Sequence, residues 1–279
     1  MWGIDPVVAH YKPTEPKPLN PLQRASMYLA QIFSLLSLLA VLRWTIPTNT
    51  SEGFLGGLGD SSQWNDSPDL LFNWHPVCMV IAFTLCSTQG VFVYRYNFFH
   101  RYMGKLGLKV LHLAWHTAAM GFMLFGLYAT IEWHHLKNQP ELYSLHSWLG
   151  IATVTLYSAQ YFAGFWHFFF PGSRLETRRN YFPMHVIVGI FTYFTANFTI
   201  ETGIAVQNYK NSCWYSMNWH TRDYNPAEHY DSIPLGCRYS NGLGLTVFFT
   251  VLCTSYALMD MRATMVRKNA RRSSFLDME

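Results

Sequence analysis

The stretch Leu71-Phe72-Asn73-Trp74-His75-Pro76-Val77-Cys78-Met79-Val80-Ile81-Ala82-Phe83 sets a histidine and a proline at the entrance to a run too apolar for a surface facing water. Such a run needs a bilayer around it, and it is one of several. Stretches of about 20 largely uncharged residues, the length that crosses a hydrocarbon core, fall at roughly 27–46, 72–94, 107–131, 143–166, 183–205 and 240–260. Half of the 279 residues are hydrophobic and only 13% are charged, which agrees with that count of spans. The chain therefore reads as an all-α membrane protein: a Pro-rich tail over 1–26, six transmembrane helices over 27–260 and a basic tail over 261–279. The first tail lacks the basic start and cleavage site of a secretory signal, so it is expected to stay in the mature protein.

Orientation follows from lysine and arginine, which gather on the cytoplasmic flanks of spans. Fifteen of the 20 lie in the two tails, in the loops 95–106 and 167–182, or at the helix ends beside them. Both termini are thus expected in the cytoplasm. The net charge of +4 needs no nucleic-acid partner, because topology already accounts for it. The opposite face carries two sequons, Asn49-Thr50-Ser51 and Asn65-Asp66-Ser67, and the long loop 206–239 with Cys213 and Cys237. On an oxidising side those two cysteines are expected to form a disulfide, while Cys78, Cys86 and Cys253 fall in spans as buried thiols.

Depth then sorts the histidines, at about 1.5 Å of rise per residue. His75 and His146 each lie about one turn below the outer surface, on spans two and four. His112 and His185 lie about one turn inside the cytoplasmic surface, on spans three and five. A single intramembrane histidine is often just hydrogen-bonded within a bundle; four on successive spans, matched in depth two by two, point to a shared task. Paired imidazoles without a carboxylate or thiolate suit the axial positions of haem, so two haems b are expected inside the bundle of spans two to five. Iron with both axial positions filled has no open site for a substrate and passes electrons. His116, one turn beyond His112 on the same face, competes for the inner position. The alternative function is a six-span proton- or metal-coupled transporter using the same histidines, for which helices broken at mid-membrane are expected.

Over about residues 70–205 the chain resembles the cytochrome b561 family of ascorbate-dependent transmembrane oxidoreductases. Phe72-Asn73-Trp74-His75-Pro76 is similar to the family's FNWHP, Val93-Tyr94-Arg95 to its VYR, and Tyr143-Ser144-Leu145-His146-Ser147-Trp148 to its YSLHSW. Lys105, Lys109 and His112, and then Arg178 and His185, match the basic residues and ligands of its third and fifth spans. The resemblance implies His75 opposite His146 on an outer haem, His112 opposite His185 on an inner one, and Arg95, Lys105, Tyr143 and Ser144 as further haem contacts. It also implies electron flow from cytoplasmic ascorbate to an outer acceptor, ferric iron chelate or monodehydroascorbate, in a homodimer of the plasma membrane or of an endolysosomal or secretory vesicle.

Spacing supports the donor side independently. Lys105, Lys109 and His112 follow steps of four and three and so share one helix face, an anion site to which Arg178 would add. On the outer side Glu132-Trp133-His134-His135 precedes His146, and His134 matches a family position implicated in the outer substrate site, where it would face a ferric substrate. Relatives often carry a glutamate shortly after the glycine ending the fifth span. Here Gly203 is followed by Ile204-Ala205-Val206-Gln207. The loop 206–239, with Trp214, Tyr215, Trp219 and Tyr224 between its cysteines, is longer than the family usually has and is expected to cap the outer site.

Overall fold

The computed structural model describes residues 19–46, 54–95, 102–170, 173–211, 213 and 233–276, with side chains up to 259. The sequon at Asn49, the loop aromatics Trp214, Tyr215, Trp219 and Tyr224, and His10, His100, His220 and His229 lie outside the described residues. Among those described, every regular element is a helix.

Helix α1 runs Pro21–Thr45. Its start is fixed by a capping box: Asn20 Oδ1 accepts from Gln23 N at 2.7 Å, Gln23 Oε1 accepts from Asn20 N at 3.1 Å, and Pro21 fills the first turn. Two otherwise orphaned donors are satisfied this way. Helix α2, Pro68–Phe92, contains His75 and widens into a π-helical segment over Val80–Cys86. Helix α3 is Lys105–Leu136, and α4 is Leu145–Gly164, capped by Ser144 and continued by a π turn at Phe165–Phe169. Helix α5, Leu175–Lys210, contains Pro183, and α6 is Leu235–Leu276.

Five of these, α1, α2, α3, α5 and the Leu235–Met259 part of α6, are long and apolar enough to cross a membrane, as befits an integral membrane protein. Large apolar side chains such as Leu29, Ile32, Leu124, Phe191, Phe198 and Leu252 point outward, an inversion that only lipid makes favourable. Helix α4, with 20 residues, extends about 30 Å at 1.5 Å per residue. The helices overrun the apolar stretches: α5 starts at Leu175 rather than 183, and α3 ends at Leu136 rather than 131. Hydropathy registers only the lipid-facing part, whereas intrahelical hydrogen bonding continues into water. The π segment of α2 stays helical, so the span is not broken at its middle.

The packing has three parts. Helix α1 turns Ser26, Ala30, Ser34, Ser37 and Val41 inward, spaced by three or four, onto α6. Small residues let the two backbones approach, as is usual between membrane helices; Ser26 Oγ donates to Cys253 O at 3.0 Å, and Ser37 Oγ to Thr246 Oγ1 at 3.0 Å. The second part is α2 against α3, and the third α4 against α5. Direct contacts between those last two pairs are sparse. A strap over 54–60 crosses the start of α2. Asn73 Nδ2 donates to Leu55 O and Gly57 O, and Trp74 Nε1 donates to Leu58 O at 3.1 Å. Positive φ at Gly56, Gly57 and Gly59 lets the strap turn there.

Candidate functional site

Four of the histidines meet in twos across the bundle. The rings of His75 on α2 and His146 on α4 have centroids 6.1 Å apart, and those of His112 on α3 and His185 on α5 are 6.4 Å apart. Each pair joins one helix of the α2–α3 hairpin to one of the α4–α5 hairpin. Each imidazole is in turn held by the other helix of its own hairpin. His75 Nδ1 lies 2.9 Å from Gly126 O on α3, and His112 Nδ1 lies 2.8 Å from Gly90 O on α2. His146 Nδ1 is 3.0 Å from Thr199 O on α5, and His185 Nδ1 is 3.0 Å from Gln160 Nε2 on α4. His112 and Gly126 are fourteen residues apart on α3, so the pairs are separated by about 21 Å along the helix axis.

Glycines make room for these rings. A Cβ at Gly203 would stand 2.8 Å from His146 Cε1, and one at Gly164 would stand 2.9 Å from His185 Cε1. Both are closer than carbon atoms tolerate.

This arrangement fits haem. An iron about 2.0 Å from each of two nitrogens, each about 1.1 Å from its ring centre, puts the centroids about 6.2 Å apart. A backbone carbonyl at Nδ1 also holds the proton there, which leaves Nε2 as the basic atom. That condition is met outright for His75, His112 and His146. At His185 the Gln160 amide nitrogen faces Nδ1 and also donates to the His185 carbonyl oxygen, which fixes the amide's orientation and makes this the one ring of the four whose Nδ1 faces a donor instead of a carbonyl. His116 stands apart: its Nδ1 is hydrogen-bonded to the Tyr157 hydroxyl at 2.8 Å, and its ring lies only 4.5 Å from that of His112. The ring found 6.4 Å from that of His185 is that of His112.

At the His112 end the structure gathers the cations singled out by spacing. Arg178 and Lys105 both lie close enough to Lys109 for their charges to act on it, and Lys109 Nζ donates to Phe168 O at 3.3 Å. Arg95 is buried and donates from Nη2 to Ala257 O on α6. That hydrogen bond ties the end of α2 to α6. At the His75 end, the Ser144 hydroxyl accepts from Ser147 N at 3.2 Å and so serves the start of α4. Tyr143 is exposed, with its ring 6.2 Å from that of His134. His134 Nδ1 is buried without a hydrogen-bond partner among the described residues.

Sequence reasoning missed three parts of this end. Phe72 stacks 5.9 Å from His75 and meets Trp133 at a tilt, 5.1 Å between ring centres. Asp69 accepts from Trp133 Nε1 at 2.7 Å and from Lys137 Nζ at 3.1 Å. Lys210 reaches over the same rings from the last residue of α5. Two residues beyond Asn211, Cys213 is bonded to Cys237 in the first turn of α6, with Cα atoms 5.5 Å apart.

The sequence pattern of eukaryotic cytochrome b561 matches residues 74–210, which include all four paired histidines. A Caenorhabditis elegans homologue of the transmembrane ascorbate-dependent reductase CYB561 is 32% identical over 197 residues, 67% of this chain and 69% of that protein. The ascorbate-specific transmembrane electron transporter 1 of Zea mays is 34% identical over 176 residues, 63% and 70% of the two chains. The human transmembrane ascorbate-dependent reductase CYB561 is 35% identical over 158 residues, 57% and 60%. The chain belongs to the cytochrome b561 family, a family of haem-binding membrane oxidoreductases.

Proposed function

We propose that this protein carries single electrons across a membrane, from ascorbate on the cytoplasmic face through two haems b to a ferric chelate or monodehydroascorbate on the other. In this reading α4 is a sixth span and both termini are cytoplasmic. The observation that carries it is the pair of diagonal imidazole couples, 6.1 and 6.4 Å between ring centres, set about 21 Å apart along the helices. When bound, the haems supply one-electron exchange at iron with no free coordination position.

The chain's own residues do the rest. Lys109 lies in the positive field of Arg178 and Lys105, and the ascorbate monoanion would offset part of that charge. There it gives up one electron and one proton and leaves as the monodehydroascorbate anion, with the proton released to the cytoplasm. Gly126, Gly90 and Thr199 carbonyls orient three imidazoles so that little rearrangement accompanies electron movement. On the far side a ferric ion gains the electron and becomes ferrous. His134 and the aromatic residues around it lie where that acceptor would dock.

Visible spectroscopy of the purified protein tests this directly. Two b-type haems per chain, both reduced by ascorbate, are expected; a haem-free protein, or haems inert to ascorbate, would overturn the proposal.

A further inference from the structure

We propose that Lys210 sets the charge preference of the outer acceptor site, making it a site for compact anions that takes up anionic ferric chelates or monodehydroascorbate in preference to cationic oxidants. The inference rests on the electron-transfer reading above and adds a residue and a selectivity to it.

The geometry is that of a cation roofing an aromatic box. Lys210 Nζ stands 5.1 Å from the Trp133 ring centre, 5.8 Å from that of Phe72 and 6.0 Å from that of Tyr143. Phe72 in turn stacks on His75, and Lys210 and His146 are close enough for their charges to interact. A ligand touching Lys210 is therefore beside the outer histidine pair.

The charges nearby are not equivalent. Lys137 is paired with Asp69 at 3.1 Å, and His135 with Glu141 at 3.3 Å. Lys210 feels Asp69 at longer range but makes no ion pair with a carboxylate among the described residues. The faces of three rings favour a cation but offer it no hydrogen-bond acceptor, so its donors remain available to a ligand oxygen. Beside two of those rings, Trp133 and Tyr143, His134 Nδ1 is a buried polar atom without a partner among the described residues. An uncompensated ammonium beside low-dielectric walls concentrates anions.

The backbone that carries the exposed Lys210 side chain is anchored. Lys210 ends α5, and just beyond it the Cys213–Cys237 disulfide ties that end to α6. Asn208 Nδ2 donates to Asn241 Oδ1 at 2.8 Å, which adds a second tie. An anchored helix end keeps the base of the lysine arm beside the aromatic box.

The test uses full-length protein, reduced and then mixed rapidly with outer-sphere oxidants of opposite charge, ferric EDTA and hexaammineruthenium(III). In each case one electron leaves the reduced protein and one metal(III) becomes metal(II). Lys210→Gln should raise the half-saturating concentration of ferric EDTA up to about fivefold, the scale of about 0.2–1 kcal/mol for an exposed charge pair, with the effect shrinking at high salt; it should leave hexaammineruthenium unchanged or faster, and be rescued by Lys210→Arg. Monodehydroascorbate, generated enzymatically, should follow ferric EDTA if oxygen anions in general are recognised; insensitivity of that arm would restrict the site to chelates. Equal effects on the two metal complexes, or none, would overturn the proposal.

Redox-inert hexacyanocobaltate(III) supplies a readout independent of electron transfer. In a Lys105→Ala, Lys109→Ala background, which silences the inner anion site, its binding should weaken on Lys210→Gln, and unchanged binding would count against the assignment. A wild-type protein without haem would sink the electron-transfer reading while leaving this binding measurement able to judge Lys210.

Discussion

At the outer end of the bundle both imidazoles are fixed by main-chain carbonyls, Gly126 O and Thr199 O, while at the inner end one rests on Gly90 O and the other on the side chain of Gln160. The mouths differ as well. The inner one presents Lys105, Lys109 and Arg178 and so favours anions by net charge; the outer one mixes Asp69, Lys137, Lys210 and His134 among aromatic faces. A backbone carbonyl can be altered only by moving a helix. A glutamine can be altered by one substitution, so the inner site is the one whose electronic properties sequence change can tune without rebuilding the bundle.

The largest expected effect separates the two ends completely. His75→Ala or His146→Ala should halve the haem content by emptying the outer site, and His112→Ala or His185→Ala should do so by emptying the inner one. Pyridine haemochrome ratios that stay at two per chain would break the assignment. Nearly as large should be the effect of a methyl group at the glycine cradles. Gly203→Ala pushes on His146, at an overpacking cost of about 1–3 kcal/mol, and should lower outer occupancy only; Gly164→Ala should lower inner occupancy only. Loss of both haems in either variant would mean that the ends do not fold independently.

The mouths can be compared by kinetics. Lys105→Ala with Lys109→Ala should slow ascorbate reduction about tenfold or more, while dithionite reduction stays within about twofold, since each lost charge-assisted contact with the anion weakens its hold by about 1.5–3 kcal/mol. Equal slowing by both reductants would point instead to damage at the inner haem. The smallest effect sharpens the contrast in tuning. Gln160→Leu should shift the midpoint potential of the inner haem by about 59 mV for each tenfold change in relative affinity for the two oxidation states and leave the outer one unmoved. Potentiometric titration of the purified protein reads both centres at once.

Much of this was legible before any coordinates. The apolar runs located α1, α2, α3, α5 and α6, and reckoning depth by residue count singled out His75, His112, His146 and His185. What could not be read were the partners at Nδ1. Gly126 lies 51 residues from His75, and Thr199 lies 53 from His146; only the packing of two helices decides which carbonyl faces which ring. Lys210 was hidden for another reason. The apolar stretch ends near 205, so the residue seemed to belong to a loop, yet α5 continues helical past the hydrophobic boundary and delivers it to the aromatic box. Arg95 adds a contact that sequence could not supply: its Nη2 donates to Ala257 O, 162 residues away on α6.

The reciprocal holding of histidines within each hairpin bears on ancestry. In the first hairpin His75 precedes Gly90, whose carbonyl accepts from His112, by fifteen residues, and His112 precedes Gly126 by fourteen. In the second, His146 precedes Gln160 by fourteen, and His185 precedes Thr199 by fourteen. The two hairpins thus repeat one plan, a ligand near the start of each helix and its support four turns later on the same helix, serving the neighbour. A single helical hairpin of this design, doubled side by side, already contains an inner and an outer ligand pair. Half of the bundle present twice would make the whole path, which is the form that duplication of a shorter gene leaves behind.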